Sequence, residues 1–354
     1  MMKDGIIPGY MLYSAARSNP QNLFATRTIA ETHALFANAQ TSGAFMASNH
    51  GKNKGGRRHT WVGSDSAVKI FDAMNKRSLP GKLVRGDKDP ATSDTTVNNA
   101  HAYHGNVRDF LVKVLGVKGV NNAGMDFVGT VHYGFQYSNA FWDGKQMTYG
   151  DGDGKLFITF VILDVVGHEI FHGRTEFTSG LEYWNESGAA NESGSDIGGV
   201  LVRQFTNNVK SKDDSWLVGP GLFGPTVKGK ALRDMLNPGK AYDDPSLGKD
   251  PQPDHYSRRY KGGQDNGGVH INSGIMNKAF ATFALNAPNC DFAFERPFQP
   301  WKETLWSEDS SKRVGKNATF QDVADKTVAN ARASEPTLVA ALIAAWQGVG
   351  ITVK

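Results

Sequence analysis

Two histidines four residues apart, His168 and His172, with Glu169 directly after the first, are the side chains of this sequence best suited to chemistry. On an α-helix that spacing puts both imidazoles on one face, where they converge on a single ion, and Glu169 sits beside that face. Zinc binds imidazole nitrogens at about 2.0–2.1 Å, and its catalytic sites keep three protein ligands with a fourth position open to water. A third ligand is therefore required. Glu192, 20 residues beyond His172 on the next expected helix, can be returned to the ion by an antiparallel pair. The blander alternative is a pair of surface histidines in ordinary i, i+4 contact with a solvated Glu169, and it leaves the spacing to Glu192 without a purpose.

The elements that must hold these groups follow from periodicity. Apolar spacing predicts helices over 164–174 and 187–205, with Gly180 in the connection. Upstream, Val68 with Ile70 and Leu83 with Val84 read as strands around the Pro80-Gly81 turn. Residues 98–116 carry Ala100, Tyr103, Val107, Phe110, Leu111 and Val114 at helical spacing, with Gly116 as the stop. β-Rich residues return over 127–133, and the glycines of 149–154 make a tight turn before the apolar run 156–163. The C-terminal half reads as largely helical, with helices around 320–331 and 336–346. Tyr10, Met11, Leu12, Ala15 and Ala16 suit one face of a short N-terminal helix. Residues 40–58 shift to small, polar and basic types and read as a protease-sensitive linker.

Bulk properties exclude more than they assign. With 354 residues the chain exceeds one comfortable core, and 39% hydrophobic against 21% charged residues excludes wholesale disorder. Thirty-nine Lys and Arg against 35 Asp and Glu leave +4, too little to imply a nucleic-acid or membrane partner. The single cysteine, Cys290, cannot form an internal disulfide, and its sequence neighbours offer no cation to stabilise a thiolate. Pro8 and Gly9 interrupt the first apolar residues, so no classical signal peptide is expected. No run approaches the length of a membrane span.

Three blocks, NAFWDGKQMTYGDGDG at 139–154, VVGHEIFHGRTEFTSGLEYWNESGAANESGSDIGG at 165–199 and DNGGVHINSGIMNKA at 265–279, make the chain resemble the thermolysin-like metallopeptidases from about Trp61 onward. The resemblance implies an α+β fold of two domains, β-rich then mainly helical, with one catalytic Zn²⁺ between them held by His168, His172 and Glu192. It implies Glu169 as general base, Tyr183 and His270 as oxyanion donors, and Asp265 as the carboxylate orienting His270. Asp196 and Asn191 fall where the family supports its ligating histidines. Asn139, Ala140 and Arg233 fall where it binds substrate backbone. Phe157, Phe160, Val165, Val218 and Leu232 fall where an apolar pocket takes the residue after the cleaved bond, although core packing is an equally natural use of several. The implied activity is a zinc endopeptidase cutting peptides or proteins before large hydrophobic residues, and a monomer is expected.

The pattern also departs from the family. Arg203 replaces a calcium-binding carboxylate seven residues after Asp196; Ser215, Leu217 and Pro220 replace an acidic cluster around Trp216; and Lys230 replaces another calcium ligand. Calcium is therefore expected to be absent, with Arg203 pairing instead with Asp164. GIIPGYML at 5–12 resembles the motif of the short precursors of protealysin-like members, with Gly9 in place of a proline. The implied division is a propeptide and linker at 1–50, occupying the cleft, then domains at 51–180 and 181–354, with maturation near Phe45 and Met46. A cytoplasmic protein, or one exported without a classical signal, is expected. A second reading, from another class, is a non-catalytic zinc-stabilised binding protein that keeps its N-terminus in the cleft; turnover of a peptide separates the two.

Overall fold

The computed structural model describes residues 5–19, 23–41 and 66–354. Where one short helix is expected near the N-terminus the chain forms two, α1 (Gly9–Ser18), which buries Met11, Leu12 and Ala15, and α2 (Leu23–Thr41). The expected linker lies largely outside the described residues, as do Phe45 and Met46.

The first half is built on a five-stranded sheet in the order β2-β1-β3-β5-β4, from β1 (Val68–Asp72), β2 (Lys82–Gly86), β3 (Phe127–Val131), β4 (Ala140–Trp142) and β5 (Met147–Tyr149). β1 pairs antiparallel with β2 and parallel with β3, in register Val68 to Phe127. β4 meets only β5 within the sheet, antiparallel, so its outer edge offers backbone groups to an incoming chain. Helix α3 (Thr95–Phe110) packs on β1 and β3, and a π-helical turn, Leu111–Leu115, ends it at Gly116. The apolar run 156–163 is not a strand. Asp153 accepts from the N–H groups of Lys155, Leu156 and Phe157 and curls the chain, which keeps one isolated bridge, Phe157 to Phe223, before the next helix.

That helix, α4 (Leu163–Glu176), crosses α5 (Asn185–Asn207) on a glycine contact. A Cβ on Gly167 would sit 2.8 Å from the Cα of Gly199, and one on Gly199 would sit 2.2 Å from the carbonyl of Asp164. Only glycine permits so close a crossing, and the crossing is what brings α5 side chains to the histidines of α4. The second half continues with α6 (Gln264–Asn286), α7 (Phe298–Trp306), α8 (Phe320–Ser334) and α9 (Val339–Gly348). Trp301 and Trp346 stack at 5.2 Å in its interior, and Thr319 with Asp322 closes a capping box on α8. The architecture is α+β, sheet first and helices after. No helix among the described residues is long and apolar enough to cross a membrane. Cys290 does have a cationic neighbour, which the fold brings from six residues away: Arg296 Nη1 lies 3.9 Å from its sulfur, yet burial still pushes the thiol pKa up.

A histidine staple links three of these elements. His132, just after β3, places Nδ1 2.9 Å from the carboxylate of Asp151, beyond β5, and Nε2 2.9 Å from Asp94. Asp94 is also the N-cap of α3, accepting from Thr96 and Val97. The hydrogen bond that His132 donates to Asp151 and, against burial, the charges of both carboxylates raise the imidazole pKa from 6.5 to about 9. The folded value exceeds the unfolded one, so this stabilisation is complete below pH 6.5 and is lost as pH rises through about 9. His132→Asn suits the left-handed backbone here, φ 54°, and removes the ring. We expect it to lower the melting temperature by a few degrees near neutral pH and to converge on wild type by about pH 10. A gap that ignores pH would refute the staple.

Candidate active site

His168 and His172 lie on α4 and Glu192 on α5, all fully buried, with their nearest ligand atoms within 4.8 Å of one another. Glu192 Oε2 is 3.4 Å from His168 Nε2, and its Oε1 is 3.2 Å from His172 Nε2. The far side of each ring is already committed. His168 Nδ1 lies 2.9 Å from Asp196, and His172 Nδ1 lies 2.8 Å from Asn191 Oδ1 and 2.9 Å from Ser195 Oγ. Donation from Nδ1 to these acceptors leaves each Nε2 with its lone pair toward Glu192, so two nitrogens and a carboxylate converge without a proton among them. That donor set fits zinc. Asn191, Glu192, Ser195 and Asp196 share one face of α5 at i, i+1, i+4 and i+5. Ser195 was legible from that spacing, but the sequence reading does not include it.

Asp196 anchors the rear of the cluster. It receives Arg233 Nε at 2.7 Å and Nη2 at 2.6 Å, and Asn277 at 2.8 Å. Burial opposes its ionisation, yet Arg233 and His168 hold its pKa below the usual carboxylate range. Two of the donors of Arg233, expected to reach for substrate, are thus spent on supporting a histidine.

Glu169, one residue after His168, is also fully buried. Its charge adds to burial in raising the pKa of the Tyr149 phenol on β5. Across the site, Tyr183 donates to Glu192 Oε1 and lies 3.2 Å from His270 Nε2. His270 is held on α6 by Asp265, which sits 2.6 Å from Nδ1 and also accepts from the backbone N–H of His270 and Ile271. Asp265 can do this because four successive residues, Asp265 to Gly268, take left-handed conformations with φ of 54, 50, 80 and 84°. Burial would depress His270, but Glu192 and Asp265 raise its pKa to about 9. Gln252, absent from the sequence reading, donates to the carbonyl of His270 at 2.8 Å and to Ser273 Oγ at 3.0 Å.

The chain's own N-terminal segment reaches this site. His270 Nε2 lies 3.1 Å from the carbonyl of Gly5, Ile6 donates to the carbonyl of Ala140 at 3.0 Å, and Ile7 N–H meets Asn139 Oδ1 at 2.9 Å. Asn139 Nδ2 returns a bond to the carbonyl of Ile7 at 3.2 Å. Gly5 has φ 81°, and a Cβ there would stand 2.3 Å from the Ala140 carbonyl. Phe157, Phe160, Val165, Val218 and Leu232 are all buried in the apolar cluster that also contains Ile6 and Ile7.

Behind the site, Arg203 pairs with Asp164 as expected, donates to the Leu217 carbonyl at 2.7 Å and also pairs with Asp214 at 3.1 Å. Asp214, two residues before Trp216, is a partner the sequence reading did not contain.

Residues 26–176 match the family model described as thermolysin metallopeptidase, catalytic domain, and residues 179–351 match thermolysin metallopeptidase, alpha-helical domain. An extracellular metalloprotease of Pectobacterium carotovorum subsp. carotovorum is 38% identical over 99% of this chain and 96% of its own length. Protease PrtS of Photorhabdus sp. (strain Az29) is 43% identical over 80% of this chain and 76% of its own. Among solved structures, the precursor of protealysin from Serratia proteamaculans superposes with a TM-score of 0.85 at 37% identity, covering 98% of this chain and 99% of that one. A buried His-His-Glu cluster and relatives matched over nearly their whole length lead to one conclusion: this chain belongs to the thermolysin-like zinc metallopeptidases.

Proposed function

We propose that the chain is the precursor of an endopeptidase that cleaves on the N-terminal side of large hydrophobic residues, with its first 50 or so residues acting as a propeptide that fills the cleft. One observation carries this reading. The N-terminal segment passes the edge of β4, bonding Ala140 through the Ile6 N–H, with the Gly5 carbonyl against His270, and the residue after that carbonyl, Ile6, is fully buried. Substrate bound the same way would put its scissile carbonyl where Gly5 is and its next side chain where Ile6 is.

Zinc held by His168, His172 and Glu192 would supply the Lewis acidity that makes a water acidic enough to deprotonate near neutral pH and polarises a carbonyl. Glu169 takes the proton of the attacking water and passes it to the leaving amine. His270 and Tyr183 donate to the oxyanion that forms, and Asp265 keeps His270 protonated and aimed. Asn139 and Ala140 hold the substrate backbone as they hold Ile6 and Ile7. Arg233, braced by Asp196, contributes a remaining donor to a substrate carbonyl. Phe157, Phe160, Val165, Val218 and Leu232 form the apolar environment of the residue after the cut.

The test is a set of quenched peptides differing only in the residue after the scissile bond. Phe or Leu there should be cleaved at least tenfold faster than Asp. Chelation should abolish cleavage, zinc should restore it, and calcium should neither restore it nor raise the melting temperature, because the Arg203 guanidinium already occupies the place between Asp164 and Asp214 and pairs with both. A large calcium-dependent rise in melting temperature would overturn the calcium-independent part of the proposal.

The propeptide reading has its own test. α2 ties to the sheet domain through Thr28 to the Ser138 N–H, Thr32 to Tyr137 and Glu31 to Arg77, so the segment remains docked when one cleft contact is weakened. Burying Ile6 is worth about 1.5–3 kcal/mol, so Ile6→Ala should raise peptide hydrolysis by the uncut chain by about tenfold to a hundredfold. Unchanged activity, with the N-terminus verified intact by mass, would show that the segment does not block the site.

A further inference from the structure

The course of the N-terminal segment gives the cleft a direction. After Gly5, Ile6 and Ile7 the chain enters α1, where Tyr10 lies close enough to Tyr242, Asp265, Asp250 and Arg233 to interact electrostatically with each. A peptide's downstream residues therefore leave toward Arg233. Ile6 bonds Ala140 and Ile7 bonds Asn139, so residues upstream of the scissile carbonyl run on toward Phe141 and Trp142, whose indole bonds Glu176 at the end of α4, and hence toward the connection that carries Tyr183.

A groove of about 570 Å³ lies on that side, walled by Trp184, Tyr260, Lys261 and Gly267. It begins one residue from Tyr183 and three from His270, so its inner wall is the same backbone that aims the two oxyanion donors. Its walls are firmly held. The N–H of Trp184 bonds the carbonyl of Glu182 at 2.9 Å, and Tyr260 exchanges backbone bonds with the side chain of Asn272 at 2.8 and 3.0 Å. Yet Trp184 is 49% exposed, unlike the tryptophans of the interior. The acids in the lining are already matched. Glu186 accepts from Tyr256 and the Phe320 N–H, with Arg259 3.5 Å away, and Glu182 pairs with Lys316. Lys261 is exposed and makes no ion pair among the described residues. The groove thus offers one unmatched positive charge beside an open aromatic face.

We propose that this groove is the subsite for substrate residues upstream of the cleaved bond, with Trp184 as the platform for the extended chain and Lys261 selecting an acidic side chain. The proposal rests on the peptidase reading above and adds a second determinant of specificity to the apolar pocket downstream.

The test uses the chain made in full and then matured by removal of its N-terminal segment, verified by mass, with quenched peptides that share Phe after the scissile bond. One set stops one residue upstream; the other extends four residues upstream, with Asp or Lys placed at each position in turn. The measured quantities are ratios of kcat/KM within one protein, so a general loss of activity in a variant cancels. Wild type should prefer Asp to Lys by about threefold to fivefold at one or two upstream positions, the size expected of an exposed ion pair, and Lys261→Glu should invert that preference at the same positions. Trp184→Ala should remove the gain that extension brings. An Asp-to-Lys ratio unchanged by Lys261→Glu, while wild type cleaves the short peptide, would overturn the groove alone. Failure of the matured wild type, with its N-terminal segment shown by mass to be gone, to cleave any peptide would overturn the groove together with the peptidase reading.

Discussion

Glu169→Gln is expected to lower kcat by about 10³-fold or more while the protein keeps its zinc. General acid–base groups contribute about 10²–10⁴-fold, and Glu169 serves here in both directions, taking a proton from water and giving one to the amine. The glutamine keeps the size and buried position of the side chain but can accept no proton. Because Glu169 is no member of the His168, His172 and Glu192 cluster, the substitution leaves that cluster and the supports of its rings at Asp196, Asn191 and Ser195 in place. The measurement is kcat together with zinc per chain. Full zinc with lost turnover identifies a base, lost zinc would make Glu169 part of the metal cluster, and turnover within tenfold of wild type would remove it from the chemistry.

How much of this site the sequence discloses depends on the distance over which each group is positioned. His168 and His172 are set by helical geometry alone, so their spacing reveals them. Glu192 needs a second helix to return close by, and the glycines that permit the crossing, Gly167 and Gly199, are visible in the sequence only to a reader who already knows which helices meet. Asp214 reaches Arg203 from 11 residues away, Gln252 reaches the His270 carbonyl from 18, and Arg296 reaches Cys290 around a turn. None of these contacts has a periodic signature. The apolar run 156–163 has no legible secondary structure for a related reason: the Asp153 carboxylate gathers three successive N–H groups and leaves no ladder to join. The N-terminal helices were half legible. Met11, Leu12 and Ala15 show an apolar face, whereas α2 docks in part through Thr28 and Thr32, whose polarity gives no hint of a buried surface.

His270 tests whether the left-handed turn beside it has a purpose. Four successive residues with positive φ, two of them not glycine, are costly, and what they achieve is to fold the Asp265 carboxylate back onto the ring and onto two backbone N–H groups at the start of the helical part of α6. If the turn exists to present a protonated Nε2 to a developing oxyanion, His270→Ala should lower kcat by about 10²–10³-fold with little change in KM, because the bond matters only once charge has formed. Asp265→Asn should cost less at neutral pH but change the pH profile. Burial alone depresses the imidazole pKa, and Asp265 with Glu192 raises it to about 9, so removing one of these charges lowers it. The donor form is then lost at a lower pH, and the alkaline limb of kcat should move toward neutrality in Asp265→Asn relative to wild type. A limb that stays in place would separate His270 from the alkaline ionisation, and a rise in KM at unchanged kcat in His270→Ala would make the residue a substrate-binding group with no part in the transition state.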